Sequence, residues 1–331
     1  MTTTVTHPLS LDETSALTRR VTRLSVAVAG LLTALKAAAW ISSGSVALLG
    51  SLVDSGLDLV AALATFFAIR YAAAPPDSEH RYGHGKAEAF ASLLQAGLVF
   101  ASAALVAREA VDRLMHPAPI ANGDWGMGVM ALSVVLTGAL IWRQSSVLRR
   151  ARSVAVAGDR AHYVIDLASN LIALAGVGLS HLTGNPIADA LAGLAVVGWL
   201  VWGAIGVFRT ASVELMDREL VGDSRARIIA LMTQDPMIKG VHQLRTRASG
   251  PYVHIQMHAD LDPALSLVEA HKVMVAAEKR LLGAYPAADV LIHPDPRGQA
   301  EPHGGAFPES HYPPRPDATP AEPAPSQAAS G

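Results

Sequence analysis

Asp54 and Asp58 interrupt the apolar run from Val46 to Ile69, and His162 and Asp166 interrupt the run from Ala161 to Leu182. Each pair is spaced i, i+4, so its members share one helix face, one turn apart. Ionisable side chains are costly in hydrocarbon, so those found there face a bundle interior and serve a function. A lone residue of this kind is as well explained by polar contacts between helices. Two pairs on two separate runs are not. Three carboxylates and one imidazole make a four-point oxygen and nitrogen set that a divalent transition metal such as zinc accepts as a tetrahedron. The chemistry expected is reversible metal binding partway across a bilayer. Protons compete for the same four groups, and imidazole is the donor that ordinarily titrates nearest neutrality.

Composition agrees with a membrane setting. The 331 residues are 51% hydrophobic and only 16% charged, against about 25% charged in soluble domains. The formal net charge of -2 and the lack of a basic block give no reason to expect nucleic acid. There is no cysteine, which excludes disulfides, thiolate zinc sites and thiol catalysis. No glycine-rich phosphate loop, GxSxG or HExxH pattern occurs, so no enzyme is expected. The first 22 residues lack the apolar core and cleavage pattern of a secretory signal.

The elements that must hold the four residues are membrane spans. Six apolar segments, at 23–43, 46–71, 87–110, 124–142, 159–182 and 186–208, are long enough to cross about 30 Å of hydrocarbon. Lys36 falls inside the first, where its stem could snorkel. Arginine and lysine gather before the first span (Arg19, Arg20, Arg23), after the second (Arg70, Arg81, Lys86), after the fourth (Arg143, Arg149, Arg150, Arg152, Arg160) and after the sixth (Arg209). The opposite connections are poorer, keeping Arg108 and Arg113. The positive-inside rule then puts both termini in the cytoplasm, and a bacterial inner membrane is the expected location.

Beyond Phe208 the texture is soluble. Residues 223–234 and 265–282 read as helices, with Asp223 a candidate cap for the first; 241–247, 252–261 and 289–293 read as strands, with a Ser249-Gly250-Pro251 turn. The expected fold is an α-helical membrane protein of six transmembrane helices followed by a small cytoplasmic α+β domain of order α-β-β-α-β, metallochaperone-like. The expected division is a cytoplasmic N-terminal segment at 1–22, a six-helix domain at 23–210, a metal-binding domain at 211–297 and a proline-rich disordered tail at 298–331, which holds eight of the 20 prolines.

Two further groups could take metal. Asp77, His80 and His84 lie in one short loop, though a solvated loop turned by Gly83 and Gly85 explains them as well. Five of the 13 histidines, His242, His254, His258, His271 and His293, fall in the soluble domain with Asp260, Asp262 and Asp295 nearby. His254 and His258 share a strand face. His303 and His311 lie in the tail, and no ligand role is expected of them.

The chain resembles the cation diffusion facilitator family, close to bacterial zinc and ferrous-iron efflux transporters. The resemblance rests on the run Leu49-Gly50-Ser51-Leu52-Val53-Asp54-Ser55-Gly56-Leu57-Asp58, on His162-Tyr163-Val164-Ile165-Asp166 and on Gly83-His84-Gly85-Lys86-Ala87-Glu88. Leu244-Arg245-Thr246-Arg247 and Ile292-His293-Pro294-Asp295-Pro296 extend it across residues 20 to 297. It implies a proton-coupled antiporter working as a homodimer, with Asp54, Asp58, His162 and Asp166 as the transport site. It implies a lone ion on Asp77, His80 and His84. It further implies a binuclear cytoplasmic site on His242, His258, His271, His293 and Asp295, with Asp295 as bridge. Pro294 departs from the pattern, since a polar residue often stands there, and His254 falls outside it. Lys86 and Asp217 resemble the family's charge pair between protomers; two solvated juxtamembrane charges would look the same. The substrate expected is Zn2+ first, then Fe2+, Cd2+ or Mn2+, with zinc also a structural ion and no catalytic cofactor. A membrane-anchored metal sensor is the rival reading, but an anchor has no use for the buried quartet.

Overall fold

A computed structural model describes residues 10–43, 46–115, 124–183, 187–220 and 222–299. Residues 1–9, most of the proline-rich tail, His303 and His311 lie outside the described residues. Six long helices come first: α1 (Leu11–Ser43), α2 (Val46–Ala72), α3 (Ala87–Met115), α4 (Asp124–Leu148), α5 (Val154–Thr183) and α6 (Ile187–Leu215). The shortest, α4, has 25 residues, about 37 Å at 1.5 Å per residue and enough for the hydrocarbon core. Stretches of α1, α2, α3 and α6 are long and apolar enough to span a membrane; α4 offers a shorter apolar run, Leu132–Leu148. Helix α5 carries Asp159, Arg160, His162 and Asp166, which is why its apolar character is broken. Side chains such as Phe67, Phe90, Trp142 and Trp202 face outward, as expected of surfaces solvated by lipid rather than water.

Helix α1 starts twelve residues before the expected first span, and α5 five residues before the fifth. The start of α5 is fixed by a contact between helices. Ser153 Oγ accepts from Val156 N at 3.2 Å as an N-cap, and buried Glu88 of α3 accepts from Ser153 Oγ at 2.6 Å and Ala155 N at 3.3 Å. Arg160, expected in the preceding loop, therefore sits in the second turn of α5. Lys36 does not snorkel: its Nζ donates to Ser55 Oγ of α2 at 2.6 Å.

The soluble domain follows as α7 (Ser224–Met232), β1 (Ile238–Ser249), β2 (Tyr252–Leu261), α8 (Leu267–Ala284) and β3 (Ala288–Pro296), the α-β-β-α-β order expected. The sheet order is β1-β2-β3, with β1 and β2 antiparallel and β2 and β3 parallel across α8. One face of the sheet, through Ile255, Met257, Ala259 and Leu261, packs on Ile228 and Met232 of α7 and Met274, Ala277 and Leu281 of α8. The domain thus has its own core. Asp223 precedes α7 but makes no side-chain cap bond, whereas α8 opens on a full capping box between Ser266 and Glu269.

The two domains meet at the 77–86 loop and the β1–β2 turn. A Cβ on Gly85 would collide with the Ser249 carbonyl oxygen, so the backbones touch only because residue 85 is glycine. Forcing a methyl between two backbones cannot be relieved by a rotamer change, so Gly85→Ala should cost at least the ~1–3 kcal/mol typical of overpacking. A lower melting temperature of the purified protein, with faster proteolysis at the domain junction, is the expected result. An unchanged melt would mean the contact is not part of the folded state.

Candidate metal centres

In the membrane domain, α2 and α5 bring together three of the four expected ligands. His162 Nε2 lies 3.0 Å from Asp58 Oδ1 and 3.3 Å from Asp166 Oδ2. His162 is buried, its Nδ1 has no hydrogen-bond partner, and the two carboxylates are partly open. One donor atom from each residue falls within a common 4.8 Å. The one imidazole nitrogen lies within reach of both carboxylates, so the three donors face a common point. Asp54 is one turn away on the same helix, more exposed, beside Ser102 of α3 and within electrostatic reach of Lys36, Asp58 and His162. The structure places it next to the cluster rather than inside it.

Beneath this cluster lies a residue that sequence reasoning missed. Asp159 is 1% exposed. Its Oδ1 accepts from Gln95 Nε2 at 3.2 Å and its Oδ2 from Gln144 Nε2 at 2.7 Å. The two amides also reach Thr65 Oγ1 at 2.7 Å and Ser25 Oγ at 3.2 Å. Five helices converge on one carboxylate, less than one turn from His162. The signal in the sequence was the i−3 spacing to His162, which places Asp159 on the same side of α5. Gly158 lets α3 approach, because a Cβ there would meet Gln95 Oε1 at 2.5 Å and Ser92 Oγ at 2.8 Å.

The loop group also assembles. His84 Nε2 lies 3.2 Å from Asp77 Oδ2, and His80 Nδ1 lies 3.5 Å from Asp77 Oδ1. Asp77 Oδ1 accepts from the backbone N–H groups of His80 and Glu79, and chiefly the first of these holds its carboxyl below the usual value. The group is therefore anionic at neutral pH. His84 is buried against Tyr71, at 4.4 Å between rings, and neither ring nitrogen has a well-aligned hydrogen bond. Buried imidazole nitrogens without partners beside a carboxylate suit a cation.

In the soluble domain, strand register builds the third group. His242 of β1 pairs with His258 of β2, which pairs in turn with His293 of β3. The three imidazoles thus stand abreast on the face away from the helices, with ring centroids 5.2 and 4.8 Å apart. Asp295 follows His293 by two residues and so shares its face. It is 3% exposed, and its Oδ2 meets His242 Nε2 at 3.2 Å and His258 Nδ1 at 2.8 Å, while Oδ1 meets His293 Nε2 at 3.3 Å. One carboxylate thus turns a separate oxygen to each side, as a bridge between two ions requires. Asp260, singled out only as a neighbour, adds a carboxylate 3.5 Å from His242. His271 is exposed on α8 and is not brought to the group. His254 is separately engaged, its Nδ1 3.1 Å from Asp289.

Lys86 and Asp217 pair at 3.1 Å within one chain, and Arg247 joins them at 3.1 Å. The resemblance placed this pair between protomers; here the start of α3 and the end of α6 lie side by side and close it. Burial raises the Asp217 carboxyl, but the Lys86 hydrogen bond and Arg247 outweigh it and hold it low. Stability from this pairing is present above the ordinary carboxylate value of 3.8 and is lost as pH falls through the lowered one.

Residues 22–216 match the family described as the cation efflux transmembrane domain, and residues 220–297 match the cation efflux protein cytoplasmic domain. A cation-efflux pump, FieF, of Shewanella oneidensis is 40% identical over 274 residues, covering 83% of this chain and 92% of its own length. FieF of Serratia proteamaculans is 39% identical over 272 residues, covering 82% and 90%. A solved structure described as the Zn form of a zinc transporter, CzrB, is 28% identical, covers 26% of this chain and 99% of its own, and has a TM-score of 0.24.

Proposed function

Because the chain belongs to the cation efflux family, whose members are transporters and not enzymes, we propose that it exports divalent metal ions, zinc first, from the cytoplasm in exchange for protons. The observation that carries this reading is the convergence of Asp58, His162 and Asp166 inside the membrane helices. Asp54, one turn from Asp58, supplies the fourth donor by a small movement of α2. Zinc suits four ligands that include an imidazole, while Fe2+, Cd2+ and Mn2+ remain rivals because ligand type alone does not separate them. The metal is substrate here. It displaces the His162 contacts to both carboxylates, and protons returning to the same groups release it.

The same reading gives the protein a homodimeric form, a bacterial inner-membrane location and cytoplasmic termini. It treats the 242/258/293/295 cluster as a structural zinc site. His271 stands outside that cluster on α8, so a second ion that uses it draws it from the second protomer. The loop group of Asp77, His80 and His84 holds a further ion against the soluble domain.

Two expected results test the transport site. His162 is its only nitrogen donor, and harder ions such as Mn2+ prefer an all-oxygen set. His162→Asp should narrow the zinc-over-manganese ratio in an uptake panel and change the pH profile; an unchanged panel and profile would remove His162 from the site. Lys36 places a fixed positive charge near Asp54 and Asp166. Lys36→Met should therefore tighten zinc binding by on the order of tenfold, measured by titration of the purified protein. Unchanged affinity would show that the Lys36 charge does not act on the site.

A further inference from the structure

A cavity of about 630 Å3 opens between α5 and α6 at the end of the bundle nearest the soluble domain. Its α6 wall is the stripe Trp199, Trp202, Gly206 and Arg209, spaced three and four residues apart and so on one helix face. The α5 wall runs from Val154 to Ile165 and includes Arg160, which lies level with Arg209. The contact between Ile165 and Gly203 fixes that antiparallel alignment. The lining is mainly apolar, with Arg160 and Arg209 as its charged side chains. Arg160 Nε is tied to Ser145 Oγ at 2.8 Å, and no carboxylate pairs with Arg160 or Arg209 among the described residues. The rise from Trp199 to Arg209 is about 15 Å, half of the ~30 Å hydrocarbon thickness and the depth of one leaflet. A Cβ on Gly206 would meet nothing within 4 Å, so the groove is open there.

We propose that this groove binds one anionic phospholipid of the cytoplasmic leaflet, with its phosphate between Arg160 and Arg209 and an acyl chain against Trp199 and Trp202. Two guanidiniums without a carboxylate partner among the described residues, beside an apolar channel, fit a molecule that is anionic at one end and apolar along the rest. A helix from a second copy fits less well. Glu88 of α3 and Glu214 of α6 are engaged by Ser153 and Arg152, so in a second copy these two carboxylates are already committed. The site lies on the helix that carries His162 and Asp166, so an occupied groove would brace α5. The proposal uses the membrane placement of these helices but not the identity of the transported ion.

The test uses full-length protein in phosphatidylcholine vesicles, with Trp40, Trp125 and Trp142 replaced by Phe so that Trp199 and Trp202 report. A small fixed fraction of the lipid carries brominated chains, as phosphatidylglycerol in one sample and phosphatidylcholine in the other. Brominated phosphatidylglycerol should quench the emission more strongly, reflecting enrichment on the order of tenfold or more. Arg160→Gln with Arg209→Gln should bring quenching down to the phosphatidylcholine level. Gly206→Leu, which fills open space on a helix and leaves the arginines in place, should lower quenching by both lipids. Equal quenching by the two lipids in the parent protein would overturn the proposal. Quenching by neither would also overturn it, since protein from a second copy would then cover the groove.

Discussion

Metal flux falls to near background in Asp58→Ala and in Asp166→Ala, while each variant still inserts and purifies as the parent does. The expected effect is large because both carboxylates touch the same imidazole nitrogen, at 3.0 and 3.3 Å. Removing either leaves at most three donors and an open position, and the ion is then held weakly against water. The fold should survive, because the carboxylates are partly open and the helices are held elsewhere by Asp159, Gln95 and Gln144. The check is zinc uptake by reconstituted vesicles beside a size-exclusion profile. Parent rates in either variant would sink the assignment.

Zinc raises the melting temperature of residues 212–297 expressed alone, and Asp295→Ala removes most of that rise. The segment has its own core around Ile255, Met257 and Leu281, so it can be studied apart from the membrane. A ligand at a hundredfold excess over its dissociation constant stabilises by about 2.7 kcal/mol. For a domain this small that is roughly 10–20 °C. Asp295 should have the greatest effect of any single residue because it touches His242, His258 and His293 at once. Its loss also leaves Asp260, beside His242, as the counter-charge to three imidazoles abreast when they are protonated. A melt unmoved by zinc would leave the histidines as ordinary residues of the open sheet face.

The proposed transport residues were legible in sequence because charge inside an apolar run is conspicuous and i, i+4 spacing fixes a shared face. That spacing could not say how deep each carboxylate sits, so Asp54 was grouped with Asp58 although it stands apart from the cluster. Asp159 was hidden by its setting. The start of α5 depends on Glu88 from α3 meeting Ser153, a contact far apart in sequence, so Asp159 and Arg160 read as loop or span edge. The soluble-domain order came from strand patterns and a turn. The row His242, His258 and His293 needed register, which depends on pairing and on an irregularity between His242 and Arg245, where Gln243 takes a φ of 48°. The chain's resemblance to its family pointed to those residues as a group where pattern alone could not.

The most direct measurement of the central claim is a flux panel of zinc, ferrous iron, cadmium and manganese on purified protein in vesicles. A pH gradient is imposed, and metal and proton movement are recorded together. Zinc should move fastest, in the direction opposite to the proton gradient, with protons appearing on the other side as it crosses. Zinc flux that ignores the pH gradient, or no metal flux at all, would contradict the account.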